Sequence, residues 1–188
     1  MRFGCLAVAP SDAQLRALLT QQESLSPTFR WLGATTREEQ VPGYQYDHHS
    51  VVIGAGDAPW AQAKDALAHW RPQRGARLEI YPADVAVEVG TTVLVVGRVV
   101  GAAMIAACRV TTVVDDPGRF GFVYATLPLH PEIGEEAFFV ERGDDGVVRF
   151  ELRVLSALHD PIARLGGPIT RRVQAGATRR YLDAMKTV

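Results

Sequence analysis

Apolar residues recur along this chain with two different periods. Leu15, Leu18 and Leu19 fall on one face of a helix that starts after Ser11. Ser11 and Gln14 have the spacing of a capping box, and the helix is expected to end near Gln22. Ser24 to Tyr46 reads as loop, broken by Pro27, Gly33, Pro42 and Gly43. Ser50 to Ile53 is a short strand closed by Gly54-Ala55-Gly56. Asp57 is placed to cap the next helix, with Pro59 in its first turn. Trp60, Ala63, Leu67 and Trp70 line one side of that helix, and Arg71-Pro72 is expected to stop it.

From Arg77 the pattern becomes that of strands: Leu78–Tyr81, Thr91–Val100, Met104–Val114, Arg119–Leu127, Glu135–Glu141 and Val147–Leu155. Gly101, Asp115-Asp116-Pro117-Gly118 and Gly143-Asp144-Asp145-Gly146 supply tight turns, which favours an antiparallel meander. The helical period then returns. Ile162, Leu165, Ile169, Val173, Ala177, Tyr181 and Ala184 form one stripe, interrupted by Gly166-Gly167-Pro168, so a long helix is expected from about Pro168. Strands followed by an amphipathic helix that covers them predict an α+β fold, with a cavity between sheet and helix.

Composition narrows the classes. With 188 residues, 47% of them hydrophobic, the chain can bury a core without metal or disulfide staples. Cys5 and Cys108 cannot build a disulfide scaffold or a four-cysteine zinc site. The net charge of −1 excludes a generally basic nucleic-acid binder. It conceals a balance of +4 from Asp160 to Val188 against −5 elsewhere. Arginines on the solvent face of the last helix account for that excess. No apolar run is long enough to span a bilayer. A cytoplasmic protein with free thiols, no nucleic-acid partner, no integral membrane association and no cofactor is expected.

Three segments together resemble the domain-of-unknown-function family nineteen-ninety. They are Gly33-Ala34-Thr35-Thr36 through Pro42-Gly43-Tyr44 to the Trp60–Trp70 helix; Ala107-Cys108-Arg109-Val110 through Asp115-Asp116-Pro117-Gly118 to Tyr124; and Thr126-Leu127-Pro128-Leu129-His130-Pro131 to Gly134-Glu135-Glu136. The resemblance spans Phe29 to Met185, and Ala125 departs from the glycine expected there. It divides the chain into an N-terminal helical extension, residues 1–30, and a main domain, residues 31–188. The family is similar to the START-like, helix-grip superfamily of lipid carriers and polyketide cyclases. The resemblance implies a curved antiparallel sheet around a long C-terminal helix, with a hydrophobic cavity. It implies no established activity.

The candidate chemistry gathers between Tyr124 and Glu136. His130 has a near-neutral reference pKa and suits a general acid or base, with Glu136 as a carboxylate partner. Glu135 and Glu136 point to opposite faces of one strand, so at most one faces a cavity. Tyr124, Thr126, Glu135 and Tyr44 are candidate ligand contacts. Arg98 and Arg109, inside apolar strands, are candidates for holding an anionic group. The alternatives are that His130 caps a rigid loop and that the arginines are solvent-facing or paired with Glu88, Glu135 or Glu136. Asp47-His48-His49 is a poor metal site, because adjacent histidines on a strand diverge. Three functions follow: a carrier of a hydrophobic or lipid-like small molecule, with or without an anionic group; a cyclase or dehydratase-like enzyme using His130 and a glutamate; or an interaction module built on the Ser24–Tyr46 segment, with Trp31, Tyr44 and Tyr46 as anchors.

Overall fold

A computed structural model describes residues 5–6, 9–99, 102–158 and 167–187, with helical side chains in the last segment described from residue 176. The elements are β1 (Cys5–Leu6), α1 (Asp12–Glu23), β2 (Gln45–Ala55), α2 (Asp57–Ala68), α3 (Arg71–Gly75), β3 (Leu78–Tyr81), β4 (Thr92–Val99), β5 (Ala102–Asp116), β6 (Arg119–Thr126), β7 (Glu132–Arg142), β8 (Val147–Leu158) and α4 (Gly167–Met185). The strands lie in the order β2-β8-β7-β6-β5-β4-β3, and β1 adds to β5. Every pair is antiparallel. The chain therefore starts the sheet at one edge with β2 and crosses to the far edge through α2 and α3. It then meanders back until β8 pairs with β2. This curved antiparallel sheet with a C-terminal helix against it is the helix-grip arrangement.

Strand alternation gives the sheet two distinct faces. The inner face carries Val93, Val95, Cys108, Val110, Phe122, Tyr124, Phe138, Val140, Phe150 and Leu152, packed against Leu67 and Trp70 and against Tyr181 and Met185 of α4. Phe122 stacks on Phe138 at 5.2 Å, Trp70 meets Phe122 edge-on at 4.9 Å, and Tyr181 meets Phe138 edge-on at 5.6 Å. These rings fill the half of the inner face that lies under α2, α3 and the end of α4. Gly121 lies between two inward phenylalanines, opposite Phe139 across β6 and β7. Its φ of 153° and the nearness of the Phe138 carbonyl leave no room for a Cβ.

The outer face is covered by the N-terminal segment. Leu15 and Leu19 of α1 pack on Leu94, Val96, Ile105 and Ala107. The strap 24–44 follows, with Phe29, Ala34 and Val41 against Leu155. Two charged side chains tie this layer down. Glu135, 1% exposed, accepts hydrogen bonds from the Gly33 N–H at 2.9 Å, the Thr35 N–H at 2.7 Å and the Thr35 hydroxyl at 2.9 Å. Arg109 donates to the carbonyls of Leu25, Gln22 and Glu23 at 2.8, 3.1 and 3.0 Å and to the Thr92 hydroxyl at 2.9 Å. Its guanidinium thereby satisfies carbonyls at the C-terminal end of α1.

Several boundaries differ from the sequence reading. β2 is eleven residues long rather than four, because its first half is polar and half-exposed and lacks the apolar signature of a strand. The Ser11–Gln14 capping box is present. Gly56, not Asp57, is the N-cap of α2, and it makes no side-chain cap bond. Arg71-Pro72 does not simply end the helical region. Trp70 adopts a left-handed backbone with φ 59°, and α3 starts immediately after it with Pro72 in its first turn. The helix expected from Pro168 begins at Gly167. Ile162, Leu165 and Gly166, and the side chains of Ile169 and Val173, lie outside the described residues.

A carboxylate accepting three charge-assisted hydrogen bonds in a buried site is a strong tether, each bond contributing about 1.5–3 kcal/mol. Glu135→Ala is therefore expected to lower the unfolding free energy by about 3 kcal/mol or more in urea denaturation. It should also expose the strap to limited proteolysis before the sheet is cut. A loss below about 0.5 kcal/mol, the range of ordinary surface substitutions, would contradict this role.

Candidate functional site

Antiparallel pairing sets Tyr124 of β6 directly opposite Glu136 of β7 and opposite Val110 of β5, on the inner face. The Tyr124 hydroxyl donates to Glu136 Oε2 at 2.5 Å. Cys108 lies one inward position along β5 and is 1% exposed. Tyr181, 7% exposed, descends from α4 onto the same group. It lies close enough to Glu136, Cys108 and Tyr124 for each to influence its ionisation.

These groups share one electrostatic setting. Burial raises the Glu136 carboxyl above its ordinary value, and the Tyr124 hydrogen bond offsets part of that rise. Burial, then the Glu136 charge, pushes Tyr124, Tyr181 and the Cys108 thiol well up. All four are thus biased toward their neutral forms. No cation is bonded to Glu136 among the described residues; its hydrogen-bond partner is a phenol. A half-buried carboxyl held this way can donate or accept a proton and can meet a polar group on an otherwise apolar molecule.

The other predicted residues are placed elsewhere. Arg98 forms a two-pronged ion pair with Glu79, at 2.6 and 2.9 Å, on the surface. Arg109 and Glu135 hold the N-terminal segment on the outer face, as described above. Tyr44 packs edge-on against Phe29 and Trp31 at 5.1 and 5.5 Å, in the same strap. Thr126 closes the end of the β6–β7 pair: its hydroxyl accepts from the Gly134 N–H at 3.0 Å and lies 2.7 Å from the Thr28 hydroxyl. Of the ligand contacts read from the sequence, only Tyr124 joins Glu136. The anion-holding role assigned to Arg98 and Arg109 loses its geometric basis, because each guanidinium is engaged by protein groups away from that pair.

His130 makes its bonds within its own loop. Its Nδ1 accepts from the Glu132 N–H at 3.0 Å, and its backbone N–H donates to the Leu127 carbonyl at 2.8 Å. Burial pushes its pKa down from 6.5 to about 4. His130 is thus a neutral imidazole capping a loop, and it makes no bond to Glu136. His48 and His49 diverge as expected. His48 lies 2.6 Å from Glu151, which also accepts from Ser50. Among the described residues no three His, Cys, Asp or Glu side chains are grouped to hold a metal ion, and no helix is long and apolar enough to cross a membrane.

Tyr181 was legible only as a position on an apolar stripe. Its amphipathic ring, whose hydroxyl needs a partner when buried, was the signal that it belongs with Glu136.

The family model for the Domain of unknown function (DUF1990) matches residues 28–184. The chain belongs to this family. Tyr124, Glu136 and Tyr181 all fall within the DUF1990 match, whereas α1 precedes it. A UPF0548 protein of Deinococcus radiodurans is 30% identical over 187 residues, covering 92% of each chain. A UPF0548 protein of Dictyostelium discoideum is 26% identical, covering 88% of this chain and 86% of the relative. Among solved structures, a hypothetical protein of Helicobacter pylori superposes with a TM-score of 0.58 at 13% identity, covering 87% of this chain and 97% of that one. The di-domain ARO/CYC StfQ of the steffimycin biosynthetic pathway gives 0.51 at 16% identity, covering 82% and 53%. These likenesses establish for the DUF1990 chain a shared helix-grip fold.

The histidine makes a prediction with a definite sign. A His whose folded pKa is depressed favours the folded state while neutral. Its contribution is complete above pH 6.5 and is lost as the pH falls toward about 4. The loss is at most about 3 kcal/mol by linkage. His130→Asn keeps an acceptor for the Glu132 N–H without titrating. Denaturation at pH 7 and pH 5 should show a smaller acid penalty in the variant than in the wild type. Equal penalties would contradict the buried neutral state.

Proposed function

We propose that this protein binds a largely apolar small molecule on the inner face of its sheet, under α4, with the molecule's polar group at Tyr124, Glu136 and Tyr181. The observation that carries this reading is a carboxyl, half-buried and without a cation among the described residues, at one end of an otherwise apolar face. Keeping it there is unfavourable unless a partner rewards it. Trp70, Phe122 and Phe138 fill the face on one side of Tyr124 and Tyr181, so the ligand space is assigned to the other side, bordered by Glu136, Val154 and Ser156. Beside Glu136 a neutral or hydrogen-bond-donating group is favoured over a carboxylate or phosphate. The ARO/CYC protein of the steffimycin biosynthetic pathway shares the fold, which transfers no substrate.

A second reading, an acid–base enzyme on the same scaffold, is favoured by the raised Glu136 carboxyl and its short bond to a phenol. In that case Glu136, with Tyr124, would move the proton, and His130 would remain a loop cap. Its substrate would occupy the same place.

Thermal-shift and native mass spectrometry against fatty acids, fatty alcohols, phenolic polyketides and terpenoid alcohols test both readings. Compounds carrying a hydroxyl are expected to bind in preference to carboxylic acids of equal length. Glu136→Gln and Tyr124→Phe should each weaken the best ligand by about tenfold, the worth of one hydrogen bond to a charged group. Any turnover should be lost in Glu136→Gln and kept in His130→Asn. No binder in the panel, or affinity untouched by both variants, would contradict the assignment.

A further inference from the structure

The face of the sheet turned away from α4 carries a second, different kind of pocket. It encloses about 380 Å³ and is lined by Arg119, Arg142, Arg149, Arg153, Glu38 and Glu141, beside Gly118 and Gly143 of two turns. Strand register assembles it: Arg119 lies opposite Glu141 across β6 and β7, and Glu141 lies opposite Arg149 across β7 and β8. Arg153 comes from farther along β8 on the same face. Four guanidiniums against two carboxylates give the lining an excess of two positive charges.

Arg119 and Arg153 are not fully satisfied by their protein neighbours. The Arg153 side chain is 5% exposed, and its Nη2 meets Glu38 at 3.0 Å and Glu141 at 3.4 Å. Its Nε and Nη1 are shielded from solvent and have no hydrogen-bond acceptor, and the same holds for Nε and Nη2 of Arg119. The Arg119 guanidinium centre lies 3.9 Å from the centre of the Phe139 ring. Such a contact engages the face of the cation, while the N–H bonds point outward from its edge. Arg119 Nε is 3.2 Å from Glu141, within ion-pair range but out of hydrogen-bond alignment. Arg142 is held by Asp57 at 2.6 Å. Buried guanidinium donors without an acceptor are rare in folded proteins and call for an explanation, an anion among them.

We infer that this pocket binds the phosphate group of a small molecule. With Arg142 neutralised by Asp57, the pocket keeps one uncompensated positive charge, and the several oxygens of a phosphate can accept from more than one guanidinium edge at once. A monocarboxylate offers little that Glu38 does not already supply to Arg153. The volume admits a phosphate with a small attached group. Glu38, 57% exposed and on a left-handed backbone of φ 58°, is the internal carboxylate with which the phosphate competes. The pocket lies across the sheet from Tyr124 and Glu136, so it stands independently of the site proposed there.

Isothermal titration of the full chain with inorganic phosphate and with a phosphate monoester such as phenyl phosphate, against chloride at matched ionic strength, tests the inference. Saturable one-to-one binding is expected. Arg149→Gln, at a half-exposed position that should not disturb folding, is expected to weaken it by about tenfold. Glu38→Gln is expected to tighten it by about threefold, as a competing charge is removed. Arg119→Gln provides a second loss variant, with circular dichroism confirming that each variant is folded. No saturable response beyond that of chloride, or affinity unchanged in both Arg149→Gln and Arg119→Gln, would overturn it.

Discussion

In a β-strand, adjacent side chains must leave on opposite faces. Along β7 that period acts on two neighbouring carboxylates, and the organisation of the molecule follows from how it separates them. Glu135 goes outward and receives the amides of the strap. Glu136 goes inward and receives a phenol from β6. A shift of one residue in register would exchange the two. Tyr124 and the strap's amides could then not both keep a carboxylate opposite them. Register is fixed here by apolar neighbours: Ala137 and Phe139 point outward with Glu135, and Phe138 and Val140 point inward with Glu136.

The division gives the two faces different chemistry. Inside, helices and aromatic rings close one half of the curved sheet, and the polar group sits toward the other half. Outside, α1 and the strap cover apolar rows, and charged residues are confined to defined positions. Arg109 and Glu135 serve as ties, Glu151 gathers His48 and Ser50, and the four arginines crowd near the β5–β6 and β7–β8 turns. The N-terminal helix, which precedes the family match, contributes a hydrophobic layer and accepts Arg109 at its end.

Much of the fold was legible because its signals are local. Gly and Asp-rich turns separate apolar runs from Arg77 onward, and α4 carries a helical stripe. β2 was read short because its outward residues are polar on both sides of Glu151. Pro72 was read as a stop because the left-handed turn at Trp70, which lets a new helix begin, has no local signature. The site was less legible. Alternation said that only one of Glu135 and Glu136 faces inward, but not which one. That choice depends on the partner strands, and so do the partners of Arg98 and Arg109. Glu79 reaches Arg98 from β3, and the end of α1 reaches Arg109 from some 85 residues away in sequence. His130 was drawn to Glu136 by nearness in sequence, whereas the loop geometry turns its Nδ1 onto Glu132.

Both functional readings depend on Glu136 being a half-buried carboxyl held by a phenol. Carboxyl-carbon NMR titration of glutamate-labelled protein measures this directly, with Glu136→Gln identifying the resonance. The midpoint should lie above the ordinary value of 4.5 in the wild type. It should rise further in Tyr124→Phe, because the lost hydrogen bond stabilises the charged form. A midpoint at or below the ordinary value in both proteins would contradict the account.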